Sequence, residues 1–220
     1  MLYISIDFYP KLTVERFIRS DSFYSVIYGN RGAGKSTAAI FRTLFRATQM
    51  PEQYHPLKWA VVRDTRKNIG LTVARTIKRW FPEPYSRWRG KPEEPESATL
   101  FVTNRPIVQF DFFGVNSPAD HDRFQSYEAS GGIWIEEPCP LATNTEFIAS
   151  GVAETVLSTA VTCLRASPFP TVQLSLNPPS ADHWTAQLFH IPGYEAIDSE
   201  SELSIEQQAD RNVIRQNTTL

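Results

Sequence analysis

The sequence predicts an α/β protein with a mostly parallel central sheet flanked by helices and an antiparallel hairpin portion. Three observations carry this. Short apolar runs rich in β-branched and aromatic residues alternate with stretches of helical period. Successive runs are separated by more than a dozen residues, the length a parallel crossover needs. The first run leads directly into a glycine-rich turn and then a helix, the arrangement of a phosphate-binding loop.

Taken in order, residues 23–28 (FYSVIY) form the first strand. A helix over 36–49 follows, with Ile40 and Leu44 as one i, i+4 pair and Phe41 and Phe45 as another. The run WAVVR at 59–63 is the second strand. The helix over 66–81 places Ile69, Val73, Ile77 and Trp80 within one ~80° arc at ~100° per residue, with Lys67, Arg75, Lys78 and Arg79 on the opposite arc. Residues 100–103 and 107–113 read as a hairpin around Asn104-Arg105-Pro106. A short strand at 133–135 is preceded by Gly131-Gly132 and followed by Pro138. A helix over roughly 144–164 leads to the last strand, VQLSL at 172–176. The Asp120-His121-Asp122-Arg123 stretch reads as a polar loop.

Composition bounds what such a chain can do. Its 220 residues are 41% hydrophobic and 21% charged, enough apolar surface for a folded core. A formal net charge of −2 excludes a generally basic nucleic-acid glue but not a local basic face. Cys139 and Cys163 make no disulfide framework or zinc spacing and read as ordinary reduced thiols. The first ten residues contain Asp7 and no long apolar run, so no signal peptide is expected; no run of 18 apolar residues suggests a membrane span. Residues 1–194 read as one domain. After Tyr194 the chain turns acidic and weakly apolar, so 195–220 reads as a solvated tail or the start of a linker.

The most specific feature is Gly29-Asn30-Arg31-Gly32-Ala33-Gly34-Lys35-Ser36-Thr37, which matches G-x-x-x-x-G-K-[ST] at every position. Glycines at 29, 32 and 34 permit backbone angles and close approaches that a Cβ would block. Successive N–H groups can then face phosphate oxygens at a helix N-terminus. Lys35 supplies a point charge to the β- and γ-phosphates, and Ser36 a hydroxyl to Mg²⁺.

Such a loop needs an acidic site on a neighbouring strand. Asp64, Asp111 and Glu136-Glu137 are candidates. Only the last offers adjacent carboxylates at the C-terminal end of a buried-looking strand, where ligands bind in open parallel sheets. Glu136 is assigned to the Mg²⁺ site and Glu137 to polarising the attacking water. An arginine at the γ-phosphate would accelerate hydrolysis; Arg31 in cis, Arg123 in trans from a neighbouring subunit, and more weakly Arg165 are the candidates. Asn177, in Leu174-Ser175-Leu176-Asn177-Pro178-Pro179, would sit on the same rim and sense the γ-phosphate. The window 58–91 holds ten basic residues against Asp64 and Glu83, a face that is either solvated or turned to a phosphate backbone or acidic partner.

YGNRGAGKST, GGIWIEEP and SLNPPSADHW, in this order and spacing, resemble the ATPase domain of tailed-bacteriophage large terminases. The resemblance covers roughly residues 1–190 and includes the His183-Trp184 pair. It implies a P-loop NTPase fold of the ASCE type, with ATP and Mg²⁺ as cofactors and a role in driving double-stranded DNA into a procapsid. It further implies a homo-oligomeric ring, portal protein and small terminase as partners, and action in the host cytoplasm. By the match, Lys35 and Ser36 bind phosphate and Mg²⁺, Glu136 is the Mg²⁺-site acid, Glu137 the catalytic carboxylate, and Asn177 part of the coupling motif. Large terminases usually add a nuclease domain; residues 195–220 would then begin the linker to it, and DNA cleavage is not expected of this chain. Two rival functions stand beside this: a P-loop kinase acting on a small molecule, which has no need of Glu137, and a nucleotide-gated, non-enzymatic interaction module. No [NT]-K-x-D motif supports a GTPase. The base could stack on Tyr3, Phe8 or Tyr9, although aromatic residues are more often core.

Overall fold

The computed structural model describes residues 10–139, 151–179, 182–190 and 194–198. Helix α1 (Leu12–Arg19) precedes strand β1 (Tyr24–Tyr28), helix α2 (Lys35–Thr48) and strand β2 (Leu57–Arg63). Helices α3 (Arg66–Leu71) and α4 (Val73–Trp80) lead to β3 (Ser86–Gly90), β4 (Pro95–Val102) and β5 (Arg105–Gly114). Then come α5 (Pro118–Gln125), β6 (Gly132–Glu136), α6 (Glu154–Thr162), β7 (Val172–Leu176), the short α7 (Trp184–Gln187) and β8 (Tyr194–Asp198).

The eight strands form one sheet in the order β3-β4-β5-β2-β6-β7-β1-β8. Six of them, β5 through β8 in that order, are parallel. β3 and β4 extend the sheet antiparallel at one edge. Burial follows this division. β6 and β7 are buried at every position, as parallel strands covered on both faces must be. β3 alternates buried or half-buried Ser86 and Trp88 with exposed Arg87 and Arg89. One core packs α1 through α4 on one face, through Phe17, Ile40, Ile69 and Ile77. The other packs α5 and α6 on the opposite face, through Phe124, Val156 and Ala160.

The structure adds two helices that the sequence reading did not include, α1 and α7, and departs from it in four further places. The helix expected over 66–81 is broken at Thr72. Arg63 reaches the break, donating from Nη1 to Thr72 Oγ1 at 2.5 Å and Asn68 O at 3.5 Å. The stretch 120–123 is helical, not loop. Ser117 caps α5 by accepting from Asp120 N, and Pro118 occupies the first turn. β3 is an additional strand, whose two arginines hide the alternation in the sequence. β8 carries residues 195–198, expected in the tail, into the sheet beside β1. Tyr3, Phe8, Tyr9, most of the tail, and the first part of the helix expected over 144–164 lie outside the described residues.

Candidate functional site

Parallel strands bring their C-terminal ends to one rim, so β1, β2, β6 and β7 deliver the ends of four distant sequence segments together. β1 runs into the glycine loop, β2 ends in Arg63, β6 in Glu136, and β7 is followed by Asn177. The loop is built as its glycines require. Gly32 and Gly34 both have φ of 80°, left-handed backbone that side chains adopt at a cost, and nothing lies within 4 Å of where their Cβ atoms would be. Gly34 is the residue from which α2 starts.

Lys35 is buried and its ammonium is turned into the loop. Nζ donates to Gly29 O at 2.9 Å, Asn30 O at 2.7 Å and Asn177 Oδ1 at 3.2 Å. Asn177 is buried, and its Nδ2 has no acceptor among the described residues. An unsatisfied buried donor is costly, which suits this atom to a further acceptor. The Asn177 carbonyl accepts from Cys139 Sγ, tying the end of β7 to the segment after β6.

The carboxylates divide the rim between them. Glu136 is 1% exposed. Ser36 Oγ donates to its Oε1 at 2.5 Å, and Ser175 Oγ donates to Oε2. Ser175 in turn accepts from Trp134 Nε1 at 2.7 Å. No cation lies within ion-pair distance of Glu136 among the described residues. Burial therefore pushes its pKa up, with the two serine hydroxyls acting in the opposite direction. Glu137 has φ of 45°, an unusual conformation for a residue with a side chain and a form of strain that concentrates at functional positions. Its backbone N–H still reaches Ser175 O at 2.8 Å. Its side chain pairs with Arg63.

Arg63 is the rim residue that sequence reasoning did not single out. Its guanidinium meets Glu137, Asp64 at 3.5 Å, and the α3–α4 junction at Thr72. Its position at the end of an apolar strand was the available signal. That β2 neighbours β6 was not readable from the sequence. Asp64, the other acid at this strand end, accepts from Thr65 N and Asn68 Nδ2, beside Thr65, which caps α3 by accepting from Asn68 N.

The candidate arginines are dispersed. Arg31 is exposed within the loop. Arg123 is exposed in the last turn of α5 and lines a cavity of about 350 Å³ with Arg89, Asp111 and Tyr127. It makes no hydrogen bond or ion pair with Lys35, Glu136 or Glu137. Arg165 pairs on the surface with Glu128. His183 caps α7, and Trp184 donates to Val152 O at 2.9 Å, which ties α7 to the segment before α6. Both cysteines are free and buried.

No protein-family model and no curated protein matches the chain. Solved structures do. The large terminase of a thermophilic bacteriophage is similar at a TM-score of 0.60 and 14% identity, over 90% of this chain and 48% of its own. It has also been solved with ADP and with ATP-gamma-S. The ATPase domain of the Thermus phage P74-26 large terminase gives 0.56 at 15% identity, over 96% of this chain and 87% of its own. The N-terminal domain of the DNA packaging ATPase from bacteriophage phi29 gives 0.57 at 15% identity, over 86% and 97%. The chain thus spans about half the length of the first of these proteins and most of the other two domains. At these identities the likeness is one of fold, a P-loop NTPase-like α/β architecture. It is the fold of the family whose motifs the sequence resembles.

Proposed function

We propose that this chain hydrolyses ATP to drive double-stranded viral DNA into a procapsid, as the ATPase domain of a large terminase. The carrying observation is the 2.5 Å contact between Ser36 of the glycine loop and Glu136 of β6, residues 100 apart in sequence. With Lys35 and Asn177 on the same rim, it assembles a phosphate cradle and an acidic site in one place. The sheet order, with β7 between β1 and β6, supports the ASCE reading.

The donor set fits a magnesium nucleotide. A hydroxyl and an uncompensated buried carboxylate are the hard oxygen ligands that Mg²⁺ takes. Ser36 and Glu136 would hold it, and its charge would offset that of the phosphates. Lys35 trades the loop carbonyls for phosphate oxygens, and Asn177 Nδ2 gains the acceptor it lacks. Glu137 accepts a proton from the attacking water. Its pairing with Arg63 orients the partly exposed carboxylate. Arg123, exposed on α5, is suited to act in trans within a ring; Arg31 is the cis alternative. Portal protein, small terminase and the host cytoplasm follow from the same reading.

The test is ATP turnover against protein concentration, with and without duplex DNA. Superlinear dependence is expected if a neighbour supplies an arginine, and strict linearity would remove the trans role. Lys35→Ala is expected to abolish turnover; wild-type rates from that variant would end the ATPase assignment.

A further inference from the structure

We infer that the outward face of α4, with Lys67 of α3, is the surface on which this chain holds the phosphate backbone of double-stranded DNA. The partner rests on the motor reading above; the surface is read from the structure. Val73, Ala74 and Ile77 of α4 are buried against the sheet, while Arg75, Lys78 and Arg79 are exposed on its other side. Lys67 is exposed on α3. None of these four cations has an ion pair or a side-chain hydrogen bond among the described residues. Three exposed arginines elsewhere are paired: Arg19 with Glu15, Arg105 with Glu52, Arg165 with Glu128.

Residues 65–82 contain no acid. The carboxylate before them, Asp64, is engaged by Thr65, Asn68 and Arg63. Glu83 is exposed beyond the end of α4, and Glu93 and Glu94 are exposed in the turn that packs under Gly70. Those two glutamates lie on the α3 side, so Lys67 is the most compensated of the four and the α4 triad carries the site. Arg75, Lys78 and Arg79 stand at i, i+3 and i+4, about 5–6 Å apart at Cβ, a spacing that lets one helix face meet successive phosphates. α4 exposes no large apolar residue between them; the exposed Leu71 stands at the end of α3, one turn from Lys67 and outside the α4 triad. An acidic protein partner would be expected to find an apolar anchor there, whereas a phosphate backbone needs only charge.

The surface is also firmly mounted. Lys78 Nζ lies 4.7 Å from the Trp88 ring centre, and Trp88 stacks on Phe112. Trp80 stands edge-on to Phe41 of α2 and donates from Nε1 to Thr37 Oγ1 at 3.4 Å, which ties α4 to the start of the phosphate-loop helix. Little backbone order in α4 remains to be imposed when DNA binds.

The experiment is fluorescence anisotropy of a labelled duplex with the 220-residue chain across a salt series, alongside ATP turnover without DNA in the same preparations. Replacing both Arg75 and Arg79 by Ala is expected to lower the slope of log affinity against log salt by about 2. That corresponds to a loss on the order of a hundredfold near 50 mM salt and tenfold near 200 mM. Replacing both by Lys is expected to keep the wild-type slope, and Arg105→Ala to leave binding unchanged. If the double Ala variant keeps the wild-type slope, or if wild-type fails to bind duplex at the lowest salt, the surface is wrong. A chain that hydrolyses ATP yet binds DNA without regard to these cations loses this surface and keeps the motor reading. One that neither hydrolyses ATP nor binds duplex loses both.

Discussion

The two ends of the parallel strands each bury a charged side chain, and they treat it differently. At the N-terminal end, Arg42 of α2 is fully buried beneath the start of β1 and β7. Its guanidinium donates to Ser20 O and Ser25 Oγ at 3.1 Å and to Thr171 Oγ1 and Gln173 Oε1 at 3.2 Å, with the Phe17 ring 5.5 Å away. At the C-terminal end, Glu136 has two hydroxyl donors and no cation. The base spreads its charge over acceptors on three fixed segments and so clamps α2 to the sheet. The rim gives its carboxylate hydroxyls and no ion-pair partner among the described residues, a condition that favours a cation brought from outside. The contrast suits the first end to stability and, on the proposed function, the second to a ligand.

Four substitutions test this contrast, in descending order of expected effect. Glu137→Gln is expected to lower ATP turnover by ~10²–10⁴-fold while ATP binding persists, and to leave the denaturation midpoint nearly unchanged because Arg63 keeps Asp64 and Thr72 as partners. Global unfolding of that variant would mean the rim is structural after all. Arg42→Met is expected to do the reverse. It strands several buried acceptors and should cost about 3 kcal/mol or more in urea denaturation, with nucleotide affinity of the folded fraction unaltered. A stable Arg42→Met chain would show that the base needs no clamp.

Gly132→Ala probes the strand between the two ends. A Cβ there would stand 2.6 Å from Trp59 Cζ3 and 2.8 Å from Thr171 O, so a loss of about 1–3 kcal/mol from overpacking is expected by the same denaturation assay. The smallest effect is a pH dependence. The folded-state pKa of Glu136 is raised above its ordinary value of 4.5. Between that value and the raised one, the folded nucleotide-free chain holds a proton the unfolded chain has released, so its stability falls as pH rises through this window. Glu136→Gln removes this contribution. It is expected to be more stable than wild-type near neutral pH, with the difference vanishing toward pH 4.5. A stability difference independent of pH would mean the carboxylate is ionised and well compensated at the rim.

Much of the candidate site was legible because its signals are local. The glycine loop needs only its own residues and the strand and helix on either side. Glu136-Glu137 advertised itself by following an apolar run and preceding a proline. The faces of α3 and α4 followed from helical period despite the break between them: Ile69, Val73 and Ile77 are buried, Trp80 is half-buried, and Lys67, Arg75, Lys78 and Arg79 are exposed. Arg63 was not legible, because its role depends on β2 lying beside β6, and strand order is a property of the whole sheet. The break at Thr72 was hidden for the same reason, since the side chain that reaches it comes from the end of β2. The helical start at Ser117-Pro118 was readable from capping chemistry, but the polar residues that follow it favour a loop on composition.

The sequence by itself determined most strands of the parallel layer, the helix that follows the first of them and where a phosphate-binding turn would form, because periodicity and glycine backbone freedom act over a few residues. It also determined the presence of an uncompensated basic face, since the acids are simply missing there. Only the tertiary structure decided that Ser36 meets Glu136, that Lys35 meets Asn177, and that Glu137 pairs with Arg63. Those contacts join residues up to 142 apart, and they exist only because parallel strands, once ordered in the sheet, bring their C-terminal ends to a common edge.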